Sequence, residues 1–289
     1  MKISVIVPTL NNATLPATLE AIGKQTRPAD EVVVVGRDEP NYTAPFSFVR
    51  FVDTGKPVCA ARARNLGMEA AVGDLFVFTD SDCIPAPDWL EKHEQQAQNY
   101  DIVGGGIDIE NKNYWAMSDN LSMFHEFSTA KDAGERFLLP TLNMNIKREA
   151  WEKVGGMDET FPGAAGEDSD WTIRLRLAGY TLFFDPTIVV RHAPARTTPS
   201  DVVRHWKNSG YNNSRVRVKH AAEFGTPWFT RKPFWLRALS PLIAAYISGG
   251  IFAQKIYWRY WTTLPIVYAT KVIYCWAAAR SIEDGFAHS

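Results

Sequence analysis

Short apolar runs alternate with helix-forming segments over the first eighty residues of the chain. The runs KISVIVP, DEVVVVG, FSFVRFVDTG and DLFVFTD predict four strands, and most of them are apolar throughout. Between strands, NNATLPATLEAIGKQT carries leucine and isoleucine at helical spacing, and CAARARNLGMEAAVG is rich in strong helix formers. Strands that are buried on both faces and alternate with helices are typical of a parallel sheet. The pattern therefore predicts an α/β fold.

The pattern is less regular after the fourth strand. YDIVGGGIDI predicts a strand with a glycine-rich bend, LNMNIKREAWEKVGGMDETF a strand followed by a short helix and a turn, and TLFFDPTIVVRH a pair of strands. EDSDWTIRLRLAGY predicts a helix that ends at Gly179. We therefore expect a mostly parallel central sheet with flanking helices, followed by a helical C-terminal region.

The formal net charge of −1 conceals a strong asymmetry along the chain. Residues 1–201 carry 19 Lys or Arg and 29 Asp or Glu, a net charge of −10, whereas residues 202–289 carry 12 and 3, a net charge of +9. Six of the ten tryptophans also lie after residue 201, and no acidic residue occurs between Glu223 and Glu283. This basic and aromatic region predicts anionic partners, such as lipid headgroups, nucleic acid or a phosphorylated substrate.

The C-terminal region contains two weakly charged segments of nearly membrane-spanning length. Residues 238–254 carry no charge, and residues 260–279 carry only Lys271. Between them, KIYWRYW interleaves basic and aromatic residues, a composition typical of membrane interfaces. We predict that residues 201–289 hold an interfacial or re-entrant helical pair on an anionic membrane surface. A cap on the preceding domain and a contact within a homo-oligomer are the alternatives. The side chains expected to enter the membrane are Ile243, Ile247, Ile251, Trp258, Tyr260 and Trp261.

Three further features bear on partners and location. No recognition motif accompanies the basic residues, so nucleic acid is not expected. Cys59, Cys83 and Cys275 form no CxxC pair and no even framework, which favours a reducing compartment. The apolar run before Pro8 is too short for a signal-peptide core. We therefore expect the protein at the cytoplasmic face of the cell membrane, or otherwise in the cytoplasm.

Two aspartates with one serine between them, Asp80 and Asp82, end the fourth predicted strand. Residues two apart on a strand face the same side, and ligands of open α/β sheets bind at the carboxyl ends of the strands. Two neighbouring carboxylates repel each other unless a cation lies between them or one is protonated. A divalent cation, Mg²⁺ or Mn²⁺, satisfies this arrangement and keeps positions for substrate phosphates. The alternative is a solvated loop in which Asp80 or Ser81 caps the next helix.

Five segments in a fixed order resemble the motifs of the family 2 glycosyltransferases, which are inverting enzymes with the GT-A fold. The segments are VPTLNN, ARNLG, TDSD, NMNIKREAWEKVGGMDETF and GEDSDWTIRLRLAGY, and the resemblance covers roughly residues 1–195. It implies a GT-A catalytic domain over residues 1–200, with a nucleotide-sugar half at 1–110 and an acceptor half at 111–200.

The resemblance implies a nucleotide-sugar donor, with a UDP-sugar as the first choice. The loop after the first strand would hold the nucleotide, and the arginine of ARNLG can meet phosphate charge. A plain turn and a solvated helix face are the alternatives for these two segments. The family usually places an acid after the second strand to help hold the base. Here Gly36 and Arg37 stand at that place and Asp38 follows as a fallback, so the identity of the base stays open. The other residues assigned to the donor are Pro8, Thr9, Asn11, Arg64, Asn65, Asp80 and Ser81.

The same resemblance implies a metal site. Asp80 matches the residue that touches the ribose or base, and Asp82 matches the metal ligand, beside which Asp80 is a further ligand candidate. His192 lies just past a predicted strand and matches a histidine that some members use as a third ligand. Because histidine prefers softer cations than Mg²⁺, this ligand favours Mn²⁺. A structural or solvated histidine is the alternative.

An inverting transfer needs a base that deprotonates the acceptor hydroxyl as it attacks the anomeric carbon. The resemblance assigns this role to Asp168, with Glu167 positioning it or contacting the acceptor. Asp170 and Trp171 are candidates for acceptor contact, the tryptophan through stacking. The alternatives are helix capping by Asp168 or Asp170 and a core position for Trp171.

Together these features predict a metal-dependent inverting glycosyltransferase that moves a sugar from a nucleotide-sugar to a hydroxyl of a growing glycan or a lipid-linked acceptor. One alternative is a non-catalytic nucleotide-sugar or glycan-binding relative, which is expected to lack the DxD segment or the base; this chain has both. Another is a nucleotidyltransferase, which is expected to carry a glycine-rich phosphate loop with Arg and Lys near the N-terminus. VPTLNNATLP contains neither glycine nor lysine.

Overall fold

A computed structural model describes residues 1–194 and 196–285 of the chain. In this part of the chain, nine strands form one sheet. The strands are β1 (Ile3–Leu10), β2 (Glu31–Arg37), β3 (Val49–Asp53), β4 (Leu75–Thr79), β5 (Cys83–Pro85), β6 (Ile102–Asp108), β7 (Gly134–Glu135), β8 (Asn143–Lys147) and β9 (Leu182–His192).

The first half of the sheet is parallel and the second half is mixed. Strands β3, β2, β1 and β4 lie side by side and pair in parallel, as predicted from the alternation of strands and helices. Strand β8 pairs antiparallel with β4 and β6, β9 pairs in parallel with β6, and β5 and β7 pair antiparallel with β9. The segment TLFFDPTIVVRH forms one strand, β9, instead of the predicted pair. The predicted α/β fold class is confirmed, with parallel pairing concentrated in the first four strands.

The helices and 3-10 segments connect and flank these strands. The α-helices are α1 (Leu15–Gly23), α2 (Ala60–Ala70), α3 (Trp89–Gln96), α4 (Tyr114–Phe124), α5 (Arg148–Val154), α6 (Glu167–Leu177), α7 (Pro199–Lys219), α8 (Pro233–Ala238), α9 (Ser240–Phe252) and α10 (Leu264–Glu283). The 3-10 segments are His125–Phe127, Trp228–Arg231 and Lys255–Thr263.

Two glycines allow close packing beside β1. Helix α2 approaches this strand so closely that a Cβ at Gly67 would lie 2.5 Å from Ile6 Cγ2. Gly36 on β2 has φ +138°, and a Cβ there would lie 1.9 Å from the Thr9 carbonyl oxygen. This backbone contact explains why glycine occupies the end of β2, near the place where the resemblance leads one to expect an acid.

The chain divides into two compact units. The sheet unit consists of Met1–Asp108, Glu126–Glu159 and Asp168–Ala193, and it contains the whole sheet. Its core is apolar and includes buried Val33, Phe76 and Phe78. The helical unit consists of Ile109–His125, Thr160–Glu167 and Pro194–Ser289. The predicted boundary at residue 200 differs from this division, because residues 109–125 and 160–167 group with the C-terminal helices. The functions predicted for the two domains stay predictions.

In the helical unit, α10 packs against α4, α7, α8 and α9. Helix α9 is 13 residues long, and none of the described helices has both the length and the apolar character that crossing a bilayer requires. The predicted orientation of α9 was wrong: Ile251 is buried, whereas Leu242 and Tyr246 are exposed. The buried face of α9 also carries the small side chains of Ala244 and Ser248. Tyr260, expected at the membrane surface, is also buried.

Candidate active site

The DxD segment lies at the carboxyl end of the parallel half of the sheet. Every residue of β4 is buried, because this strand lies between β1 and β8. Directly after it, the side chains of Asp80 and Asp82 are 31% and 21% exposed. The two carboxylates therefore reach solvent at the edge where α/β sheets commonly bind ligands.

Strand β9 brings His192 to Asp82. Strands β5 and β9 pair antiparallel with Cys83 opposite His192, and the Ala193 amide donates to the Asp82 carbonyl at 2.9 Å. His192 Nε2 lies 3.7 Å from Asp82 Oδ2, and the imidazole is buried. The structure therefore joins two of the residues that the sequence predicts as metal ligands.

Cys83 adds a possible ligand that the sequence analysis missed. The ligand atoms of Asp82, Cys83 and His192 all lie within 4.8 Å of one another. Burial, together with the charges of Asp82 and Asp80, raises the pKa of the Cys83 thiol well above its usual value. The thiol lies 3.8 Å from Asp82 Oδ1, to which it donates. The donor set of carboxylate and imidazole fits a divalent cation such as Mn²⁺. Only the pairing of β5 with β9 could reveal Cys83, because its sequence neighbours give no signal.

Asp80 pairs with an arginine. Arg64 Nη2 donates to Asp80 Oδ1 at 2.7 Å, and the arginine side chain is 5% exposed. Arg64 lies on α2, in the ARNLG segment. A charge-assisted hydrogen bond of this length fixes the orientation of the carboxylate. The two aspartates of the DxD segment therefore differ in their surroundings: Asp82 lies beside His192 and Asp80 beside Arg64.

Asp168 is electrostatically linked to the Arg64–Asp80 pair. Burial raises the pKa of Asp168, the positive charge of Arg64 opposes this shift, and the negative charge of Asp80 adds to it. The Ser169 amide donates to Asp168 Oδ1 at 2.7 Å. Asp168 lies in the first turn of α6, so three predicted site residues from different elements come together. A carboxylate whose pKa is raised is suited to accept a proton.

The loop after β1 is fastened to the DxD segment. Asn12 Nδ2 donates to Ser81 Oγ at 2.9 Å, and Thr14 Oγ1 donates to the Ser81 carbonyl at 2.7 Å. Asn11 has φ +51°, and its side-chain oxygen accepts from the Glu39 amide at 2.8 Å. Asn12 and Thr14 were not predicted, because polar residues in a loop carry no distinguishing signal. The predicted donor residues Asn11 and Ser81 thus belong to one hydrogen-bonded group of loops.

Pro8 and Thr9 lie near the end of β1, paired in register with Val35 and Gly36 of β2. Pro8 is half-buried and Thr9 is buried. Both residues therefore lie within the sheet, immediately before the loop that reaches Ser81.

Two predicted donor residues make local structural contacts. The Asn65 side chain donates to the Met157 carbonyl at 2.9 Å and accepts from the Met157 amide at 2.8 Å, so it holds the turn after α5. The Asp38 carboxylate accepts from the amides of Tyr42 and Thr43, both at 2.8 Å. The Asp38 carboxylate therefore stabilises the loop that follows it. These contacts do not support the predicted contact of Asp38 with the base of the donor.

The predicted acceptor residues lie in the interior. Trp171 is fully buried, its Nε1 donates to the Gly155 carbonyl at 2.8 Å, and its ring packs edge-on against Phe78. Asp170 is fully buried and accepts from Arg174 at 3.0 Å. Stacking of Trp171 on an acceptor and contact of Asp170 with one are therefore contradicted by their burial, and the core alternative holds for Trp171. Glu167, the first residue of α6, is also buried.

Two solved structures share the fold of this chain. The mannosyltransferase PcManGT from Pyrobaculum calidifontis, in complex with GDP-Man and Mn²⁺, aligns with a TM-score of 0.63 and 22% identity over 98% of this chain and 87% of that one. TarS residues 1–349 from S. aureus, in complex with UDP, aligns with a TM-score of 0.54 and 16% identity over 100% of this chain and 92% of that one. These likenesses confirm the GT-A fold.

Sequence comparison gives the family. Glycosyltransferase AglE from Haloferax volcanii is 27% identical over 209 residues, which is 67% of each chain. The pre-mycofactocin glycosyltransferase of Mycobacterium tuberculosis is 27% identical over 55% of this chain and 35% of its own length. A family model described as glycosyl transferase family 2 matches residues 4–155, just over half of the chain. The chain belongs to glycosyl transferase family 2 and is a glycosyltransferase.

Proposed function

We propose that this glycosyltransferase is metal-dependent and inverting, and that it transfers a sugar from a nucleotide-sugar to a hydroxyl of a glycan or a lipid-linked acceptor. The observation that carries the proposal is the convergence of Asp82, His192, Asp80, Arg64 and Asp168 in the sheet unit. These residues supply the ligand set and the base that such a transfer needs, at the carboxyl end of the sheet.

Asp82 and His192 would hold the divalent cation. When bound, such a cation neutralises the diphosphate of the leaving group and orients it. The imidazole of His192 favours Mn²⁺ over Mg²⁺. The Cys83 thiol, held protonated by its raised pKa, then remains a hydrogen-bond donor to Asp82 and limits the orientations of that carboxylate.

Ser81, Asn11 and the loop after β1 would contact the nucleoside of the donor. Asp80 is oriented by Arg64, so we assign its carboxylate to the ribose or base and Arg64 to positioning. Solved structures of the same fold contain GDP-Man or UDP, so GDP-sugars and UDP-sugars are the first donors to test.

Asp168 would be the base. Its carboxylate removes the proton from the acceptor hydroxyl while that oxygen forms a bond to the anomeric carbon. The bond between that carbon and the donor's phosphate oxygen breaks on the opposite side, and the nucleoside diphosphate leaves. Attack opposite the leaving group inverts the anomeric configuration. The raised pKa of Asp168 supports this role because a more basic carboxylate takes the proton more readily.

We further propose that the helical unit lies on an anionic membrane surface. Several of its large aromatic side chains are exposed: Trp258 is 56% exposed, Trp261 70% and Tyr246 84%. Lys255 and Arg259 lie in the same 3-10 segment as the two tryptophans. Interleaved basic and aromatic side chains suit the headgroup region of an anionic bilayer.

The catalytic proposal is tested by incubating the purified chain with a panel of GDP- and UDP-sugars, Mn²⁺ or Mg²⁺ and candidate acceptors. We expect release of one nucleoside diphosphate, loss of this activity in excess chelator and its return with Mn²⁺. Asp82→Asn should abolish turnover, and Asp101→Asn, which removes a surface carboxylate of the same unit, should not. Full turnover in chelator, or a product that retains the donor's configuration, would refute the mechanism.

A further inference from the structure

The helical unit contains an apolar cavity of about 180 Å³ between α7, α8, α9 and α10. Of its fifteen lining residues, ten are apolar or aromatic. Helices α8 and α9 contribute Leu236, Ile243 and Ile247, and α10 contributes Cys275 and Ala278. A cavity of this size with apolar walls suits a short length of one hydrocarbon chain.

Two arginines give this cavity a positive charge. Arg217 on α7 and Arg231 in the segment Trp228–Arg231 both line it, and both are exposed, so they lie on its solvent side. Arg217 lies over the ring of Phe224, with 4.9 Å between Cζ and the centroid. Arg231 donates to the Thr226 carbonyl at 3.3 Å. Among the described residues, neither arginine is paired with an acidic side chain, and no acidic residue lines the cavity.

A buried polar atom also lacks a partner beside the arginines. The Thr226 hydroxyl is buried, and among the described residues it has no hydrogen-bond partner. Thr226 and Thr230 both line the cavity. A buried hydroxyl without a partner is costly, and a ligand oxygen would satisfy it.

We propose that this cavity binds one hydrocarbon chain of a lipid phosphate monoester, with the phosphate held by Arg217 and Arg231. Arginine suits phosphate because its guanidinium presents paired N–H donors. The apolar wall suits the chain, and exposed Trp228, Phe234 and Trp235 on the adjoining elements provide an apolar approach. The inference rests on the proposed transferase function in one respect: such a lipid would be the acceptor or its carrier.

The test is equilibrium binding of farnesyl monophosphate to the full chain, at concentrations below micelle formation and without metal or nucleotide-sugar. We expect one saturable site. Arg217→Gln and Arg231→Gln should each weaken binding about tenfold, because each removes a charged phosphate contact. Ala278→Leu, which fills the cavity, should also weaken it. The matched controls are Arg204→Gln on α7, whose side chain pairs with Asp201, and Ala245→Leu on the exposed face of α9. Both controls should bind as the wild type does.

Competitors distinguish the possible sources of binding. Farnesol should bind more weakly than the phosphate and should be insensitive to the arginine variants, and inorganic phosphate should not compete. Three results would overturn the proposal: no binding, equal competition by inorganic phosphate, or arginine variants with wild-type affinity for farnesyl monophosphate. Vesicles of two-chain phosphatidylglycerol that remove the signal as effectively would also overturn it, since they would indicate a general bilayer surface. The assay uses no sugar donor, so its result is independent of whether the transfer assay succeeds.

Discussion

Two aspartates, Asp168 in the sheet unit and Asp119 in the helical unit, have pKa values that are shifted in opposite directions. In the sheet unit, burial raises the pKa of Asp168, and Arg64 only partly offsets this. In the helical unit, Asp119 is fully buried, yet His205 and Arg196 outweigh the effect of burial and lower its pKa to about 2. A carboxylate held firmly in its charged form stabilises a fold, whereas one that is charged at a cost is available for proton transfer.

The two units also distribute apolar surface differently. The sheet unit buries most of its large apolar side chains and brings charged groups to the strand ends. The helical unit places polar side chains between its helices, including Ser122 and Thr270, and leaves Trp258 and Trp261 exposed. We therefore expect the removal of a buried charge to change turnover in the sheet unit and stability in the helical unit.

The largest expected effect is on turnover. Asp168→Asn should lower turnover by about 10²–10⁴, the usual contribution of a positioned base, while donor binding and thermal stability stay near wild type. Since the base must be deprotonated, wild-type turnover should fall on the acid side at a pH above the usual carboxylate range, and Asp168→Asn should lose this limb. Arg64→Gln should move the limb to higher pH, because Arg64 lowers the pKa of Asp168. Pre-steady-state rates across pH provide the measurement. An acid limb that persists in Asp168→Asn would assign the base elsewhere.

The second effect is on stability. Asp119 accepts from Arg196 at 2.6 Å, His205 at 2.8 Å and Trp206 at 2.7 Å. Asp119→Asn removes a buried charge from this group and should lower the free energy of unfolding by about 3–5 kcal/mol. Because the folded-state pKa is below the ordinary aspartate value of 3.8, this stabilisation should be complete above that pH and be lost as the pH falls toward about 2.

Denaturant titration followed by tryptophan fluorescence measures this loss. Glu110→Gln is the control, since Glu110 pairs with Arg259 at an exposed position where a salt bridge contributes at most about 1 kcal/mol. Equal destabilisation by Asp119→Asn and Glu110→Gln would contradict the stabilising role assigned to the buried charge of Asp119.

The smallest effect concerns the outer surface of the helical unit. Trp258→Ala and Trp261→Ala together should weaken binding to anionic vesicles about tenfold, because the exposed rings lose apolar contact with the bilayer. Added salt should weaken wild-type binding without eliminating it, since screening acts on charges but not on buried apolar area. Co-sedimentation is the measurement, and Lys24→Glu on the sheet unit is the control. Vesicle binding that is the same in all three proteins would contradict the proposed surface.

The parallel half of the sheet could be predicted because its strands are apolar along their whole length. The pairing of β5 with β9 could not, because antiparallel register between distant segments depends on the folded chain. That pairing is what brings Cys83 opposite His192. Asp170 and Trp171 were named as acceptor candidates beside the base that the resemblance assigns to Asp168, but their burial depends on how α6 packs. Helix α9 has uncharged residues on every face, so periodicity could not predict that Ile251 is buried and Tyr246 exposed.

The claim that Asp82 and His192 hold the catalytic cation is tested most directly by Mn²⁺ binding. Free Mn²⁺ gives an electron paramagnetic resonance signal that is lost on binding, so titration of the full chain with Mn²⁺ in the presence of GDP or UDP reports occupancy. We expect one site in the wild type, strong weakening in Asp82→Asn and weakening of more than about 10-fold in His192→Gln, because loss of even an outer partner of a metal ligand costs about 10- to 100-fold. The control Asp101→Asn should match the wild type. Wild-type affinity in both Asp82→Asn and His192→Gln would contradict the account.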